Sequence, residues 1–93
     1  MATFKVAIPT QLRSYTQGVA RVEVSLDHEA PRLRDAFAAL DGMYPGIRFR
    51  MVDEAGRVRP HVQVFVGMTV QRDPDAVLKP GDEIMIVGAL SGG

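Results

Sequence analysis

One stretch of this chain carries helical spacing, and three others carry apolar residues in alternation. Leu33, Ala36, Phe37, Leu40 and Tyr44 recur at i, i+3, i+4, i+7 and i+11, which is one apolar face of a helix. Pro31 fits the first turn of that helix, where its missing N–H costs nothing. Pro45 ends it, because a proline disfavours helical backbone at the residue before it, Tyr44. A single amphipathic helix cannot bury its own apolar face. It must cover one face of a sheet built from the other segments.

Those segments read as strands. Residues 3–8 alternate, with Phe4, Val6 and Ile8 on one side, and Pro9 stops them. Residues 11–18 read as a polar connection with Gly18 as a turn residue. Residues 20–25 alternate again with Val22 and Val24 inward, so the pair forms a long-turned hairpin. After the helix, residues 47–51 fit no clear pattern, and Asp53-Glu54-Ala55-Gly56 reads as a turn. Residues 61–66 alternate with Val62, Val64 and Val66 inward, and Gly67-Met68 is a two-residue turn into Thr69-Val70-Gln71. Residues 73–78 read as a polar loop or a single helical turn. Lys79-Pro80-Gly81-Asp82 matches a type II turn, and residues 83–87 form the last strand. The order is strand, strand, helix, strand, short strand, strand. It predicts an α+β domain over residues 1–87, a mixed sheet with one main helix on one face, which is the pattern of a ubiquitin-like β-grasp. Residues 88–93 follow as a flexible tail.

Composition removes several kinds of function. Lys and Arg number 11, as do Asp and Glu. There is thus no net basic charge to draw a nucleic acid. No stretch reaches the roughly 18 apolar residues of a membrane span. The start, Met1-Ala2-Thr3-Phe4-Lys5, runs into strand-like sequence and not into the apolar block of a signal peptide. A cytoplasmic protein without nucleic-acid or membrane partners is expected. The chain has no cysteine, so disulfides, iron–sulfur clusters, a thiol nucleophile and thiol-borne sulfur are excluded. His28 and His61 do not stand in a metal-ligand spacing; no metal is expected, and both are expected near the surface. Gly67 and Gly81 are isolated turn glycines, not a phosphate cradle.

The last residues are Ser91-Gly92-Gly93. Two glycines carry no Cβ, so their backbone can pass a narrow channel and accept close approach. That suits a terminal carboxylate inserted into an enzyme and chemically modified. A frayed end with no role would read the same way from the dipeptide alone.

Three stretches bear on this choice. Phe4-Lys5-Val6-Ala7-Ile8-Pro9-Thr10-Gln11-Leu12-Arg13, the helix with Tyr44-Pro45-Gly46-Ile47, and Gly81-Asp82-Glu83-Ile84 through Gly92-Gly93 occur in that order. In them the chain resembles the ubiquitin-like sulfur carriers: the small subunit of molybdopterin synthase, the thiamine-pathway sulfur carrier and their relatives. Ile8-Pro9-Thr10 and the turn from Tyr44 to Ile47 look most like the carriers serving cysteine biosynthesis. Val66-Gly67-Met68 and Gly88-Ala89 depart from the usual pattern and leave the pathway open.

The resemblance implies a protein cosubstrate, not an enzyme in itself. Gly93, with Gly92 before it, would be adenylated by an E1-like partner using ATP, and a sulfur donor would convert the acyl-adenylate to a thiocarboxylate. A sulfur-accepting synthase would receive the sulfur. No cofactor would be bound by the carrier. A ubiquitin-like modifier joined to lysines through Gly93 uses the same activation and stays open as the alternative. So does a plain binding domain with an inert tail.

Further residues are expected at partner contacts. Met85 and Val87 point away from the helix if Ile84 and Ile86 point toward it, and Phe65 and Val70 share their side. Such an apolar cluster on an open sheet face suggests docking. Residues 88–93 span at most about 20 Å when extended, and Leu90 is expected to anchor in the partner's channel, the alternative being that it packs back on the domain. Arg48, Arg50, Arg57 and Arg59 read as a solvated loop, and Asp35 and Asp41 as solvated helix residues.

Overall fold

The computed structural model describes residues 2–88. Five strands form one mixed sheet in the order β2-β1-β5-β3-β4. They are β1 (Ala2–Ala7), β2 (Arg21–Leu26), β3 (Val62–Val66), β4 (Thr69–Val70) and β5 (Glu83–Gly88). Two helices interrupt them, α1 (Leu33–Met43) and the one-turn α2 (Arg48–Met51). β1 runs parallel to β5; the β1–β2, β3–β5 and β3–β4 pairs are antiparallel.

The period-two residues make the core. Phe4, Val6, Val22, Val24, Val62, Val64, Ile84 and Ile86 are buried on the side of the sheet that α1 covers. Leu33, Ala36, Phe37 and Leu40 descend from the helix onto them, and Tyr44 packs at the margin. The β5 strand has neighbours on both sides, which places Ile84 and Ile86 at the centre. Glycines close the turns: Gly67 and Gly81 have φ of 62° and 88°, a region that L side chains rarely adopt. The Asp82 N–H reaches the Lys79 carbonyl at 2.9 Å, as the sequence predicts for that turn.

Four segments differ from the sequence expectation, two of them because of a partner distant in the chain. Pro31 does not open the helix; it lies buried two residues ahead of it, and its carbonyl accepts the Leu78 N–H at 2.7 Å. The first free N–H groups of α1, those of Leu33 and Arg34, are taken by the carbonyls of Ala76 and Pro74. Helix N-termini leave such donors unpaired unless something meets them, and here a turn some forty residues later does so. Residues 73–78 are thus a helix cap, with Leu78 in the core. The 11–18 connection is not simply polar. Thr10–Leu12 forms a 3-10 turn, Leu12 and Thr16 are buried, and the Thr16 hydroxyl donates to the Val19 carbonyl at 2.7 Å. Residues 48–51 are helical, and Ile47 and Met51 fill the end of the core.

Candidate functional site

Alternation along β5 puts Glu83, Met85 and Val87 on the face opposite α1, where no helix covers them. Strand register then assembles a row. Phe65 stands directly opposite Val70 on one side and Met85 on the other. Met85 also neighbours Ala7 of β1, and Val87 stands opposite Gln63. Val87, Met85 and Val70 are 39%, 42% and 46% exposed, and Phe65 is half-buried between its neighbours. The four residues predicted for an outward apolar cluster therefore form a continuous patch. Met68 extends it at the tip of the β3–β4 hairpin and is 99% exposed. It was not predicted, because a turn residue has no alternation to place it.

The other half of the same face is charged. Lys5 lies between Glu23 and Glu83 by register, and the Arg21 guanidinium approaches Glu83 at 3.4 Å. The open face is thus divided into an apolar half on β4, β3 and β5 and a polar half on β1 and β2. Such a division gives a docking partner an orientation as well as an area.

Gly88 ends β5 and lies opposite Val62, so the strand includes one residue that the sequence reading put in the tail. A groove of about 320 Å³ opens beside this point, lined on one wall by Pro9, Thr10, Gln11 and Arg13 and on the other by Val87 and Gly88. The Gln11 amide donates to the Gly88 carbonyl at 3.4 Å. Gln11 was missed from sequence, since a polar residue in a connection carries no spacing signal. Leu90, Gly92 and Gly93, and the expected flexibility of 89–93, lie outside the described residues.

The remaining polar candidates serve the fold. Asp35 is not merely solvated: it accepts the Arg32 N–H at 2.8 Å, opening α1, and faces His28 at 3.6 Å. Asp41 likewise accepts the N–H groups of Gly46 and Arg48. Among the basic run, Arg50 donates to the Tyr15 hydroxyl at 2.7 Å, which raises its already high pKa. Arg57 pairs with Asp53, Arg59 donates to the Phe49 carbonyl, and Arg48 lies over the Phe49 ring. Arg50 and Arg57 are exposed, as expected of a solvated segment, while Arg48 and Arg59 are half-buried. Among the described residues no three His, Cys, Asp or Glu side chains gather in a way that could hold a metal ion. No described helix is long and apolar enough to cross a membrane.

What this geometry offers is an exposed apolar patch with the end of β5 at its edge. The sequence matches the ThiS family over residues 6–93, from the first strand through the two final glycines.

The chain belongs to the ThiS family of ubiquitin-like sulfur carriers.

Solved structures agree with the fold of that family. A chain of the Amycolatopsis orientalis BexX/CysO complex superposes with a TM-score of 0.83 at 28% identity, covering 97% of this chain and 99% of that one. CysO of Mycobacterium tuberculosis gives 0.82 at 27% identity, over 94% and 99%. SAMP1 of Haloferax volcanii gives 0.83 at 23% identity, over 99% and 100%, and shares the fold. A comparison with curated proteins finds no match. The ubiquitin-like β-grasp expected from element order is therefore the fold observed, and in this ThiS-family member the apolar patch and the end of β5 are adjacent.

Proposed function

We propose that this protein is a sulfur carrier whose Gly93 carboxylate is the reacting group. A carboxylate is a poor electrophile. Attack of a carboxylate oxygen on the α-phosphorus of ATP, in an E1-like partner, releases pyrophosphate and leaves an acyl-adenylate. A sulfur donor then adds to the carbonyl carbon, AMP departs, and a thiocarboxylate remains at Gly93. The sulfur passes from there to a sulfur-free biosynthetic acceptor, cysteine or molybdopterin being the products that the family resemblance implies. The carrier itself acts as cosubstrate in this scheme; ATP is held by the activating enzyme.

The observation that carries this reading is the family match, which runs through Gly92 and Gly93. The likeness to CysO at 27% and 28% identity supports a carrier of the cysteine type. The structure adds a physical route. The β5 strand ends at Gly88 beside the exposed Val87 and Met85, which supports a partner that seats on the patch and receives the chain end. Residues 89–93 reach at most about 18 Å beyond it, enough to enter a channel in that partner. Leu90 is proposed to anchor in the channel, and Phe65, Val70, Met85 and Val87 to dock outside it. A second reading, a modifier forming isopeptide bonds through Gly93, uses the same activated intermediate and diverges only at the nucleophile.

Deletion of Gly93, or addition of one residue after it, tests the proposal. Activation by the partner should be abolished while the unfolding transition is unchanged. An equal thiocarboxylate yield from the shortened chain would overturn it.

A further inference from the structure

The two edges of β5 end differently. On the β3 side it is paired to its last residue, Gly88 opposite Val62. On the β1 side the register stops at Ala7 opposite Met85. Beyond that point the chain meets Pro9, which has no N–H to donate, and turns into the 3-10 turn at Thr10–Leu12. The Glu83 carbonyl points to the β3 side, since it accepts the Gly67 N–H there at 2.8 Å. By alternation, the carbonyls of Ile84, Ile86 and Gly88 point toward β1. The last of these faces an edge with no strand beside it.

Gln11 fills that gap. Its Nε2 donates to the Gly88 carbonyl at 3.4 Å. Its carboxamide lies so close that a Cβ on residue 88 would stand 3.1 Å from Gln11 Cδ. Gly88 is not among the positive-φ residues, so its missing side chain serves this approach and not a left-handed turn. Gln11 also lines the groove beside the strand end, with Pro9 and Val87.

We propose that Gln11 is a positioning residue for the chain end. Its side-chain amide replaces the missing backbone partner of Gly88 and fixes the end of β5 from which the Gly93 carboxylate would be presented. A partner then receives the carboxylate from an aimed root and orders fewer residues on binding. The inference rests on the carrier reading above, and its test separates the two.

Three proteins are compared: wild type, Gln11→Glu, which keeps the length and removes the donor, and Gln11→Lys, which restores one. In wild type and Gln11→Lys the NMR order parameter of the Gly88 amide should be near 0.85, and in Gln11→Glu below about 0.6. Melting temperatures should differ by less than about 4 °C, as for surface substitutions in a small domain. In ATP–pyrophosphate exchange with the chain's own adenylating enzyme, Gln11→Glu should raise KM roughly 5-fold or more through added ordering on binding. The kcat should stay unchanged, and Gln11→Lys should behave as wild type. An unchanged order parameter in Gln11→Glu would overturn the inference, as would a loosened root with an unchanged KM. Absence of exchange in the wild type would refute the carrier reading instead, and the relaxation result alone would then decide whether Gln11 holds the root.

Discussion

Asp41 sits on the solvent side of α1, yet one of its oxygens, Oδ1, accepts the N–H groups of Gly46 at 3.0 Å and Arg48 at 3.1 Å. It ties the end of one helix to the start of the next. Asp41→Ala should destabilise the domain by about 1–3 kcal/mol in urea unfolding, because two backbone donors lose their acceptor. A change below about 0.5 kcal/mol would show that water replaces the carboxylate there. Asp53 organises the following turn. Its carboxylate accepts the Arg57 and Ala55 N–H groups at 2.9 Å. The Arg57 bond is the main reason that its pKa lies below the ordinary 3.8; partial burial opposes the shift, and the Arg57 charge assists it. A carboxyl lowered in the folded state contributes stability that is full above its unfolded pKa and is lost as pH falls through the folded value. Asp53→Asn should therefore flatten part of the stability loss below about pH 4, read from unfolding midpoints between neutral and acid pH. Neither role was legible in sequence. The helical stripe correctly places Asp41 off the apolar face, but which N–H groups it meets depends on where Pro45 and Gly46 turn the chain.

At the scale of elements, β5 carries both the core and the candidate docking patch, on alternate residues. Val87→Asp should leave the melting temperature within a few degrees, since Val87 is 39% exposed, and should weaken partner binding by placing a charge in an apolar contact. Ile86→Asp, one residue earlier, buries that charge at a site 2% exposed and should unfold the domain. A large melting change in Val87→Asp would mean that the patch belongs to the fold. Alternation alone distinguishes these neighbours, which is why β1, β2, β3 and β5 and their inward residues were legible from sequence. The α1 helix was legible for the same reason. The Thr10–Leu12 turn, α2 and the cap from residues 74–76 were not. They are held by long-range hydrogen bonds and by single buried residues such as Leu12, Ile47 and Leu78, and these leave no period in the sequence.

The described residues form one sheet-and-helix body whose last strand ends at Gly88, at the edge of an apolar patch. In the proposed scheme, holding five residues inside a partner would cost roughly 5–10 kcal/mol, to be offset by backbone hydrogen bonds and a pocket for Leu90. Leu90→Ala should weaken engagement by about 1–3 kcal/mol, the worth of burying that side chain, measured as carrier affinity for the adenylating enzyme. Family membership and fold were both readable from the order of motifs. The acceptor was not, because the motifs that carry the resemblance lie in strands, helix and chain end, while in the proposed scheme the acceptor is chosen by the enzyme that would receive the sulfur. The central claim concerns one atom at Gly93. Intact mass after incubation with the chain's adenylating enzyme, ATP and sulfide should show a gain of about 16 Da, one oxygen exchanged for sulfur as a covalent modification. An unchanged mass in the presence of a demonstrably active enzyme would contradict the account, as would mass appearing only in conjugates with other proteins.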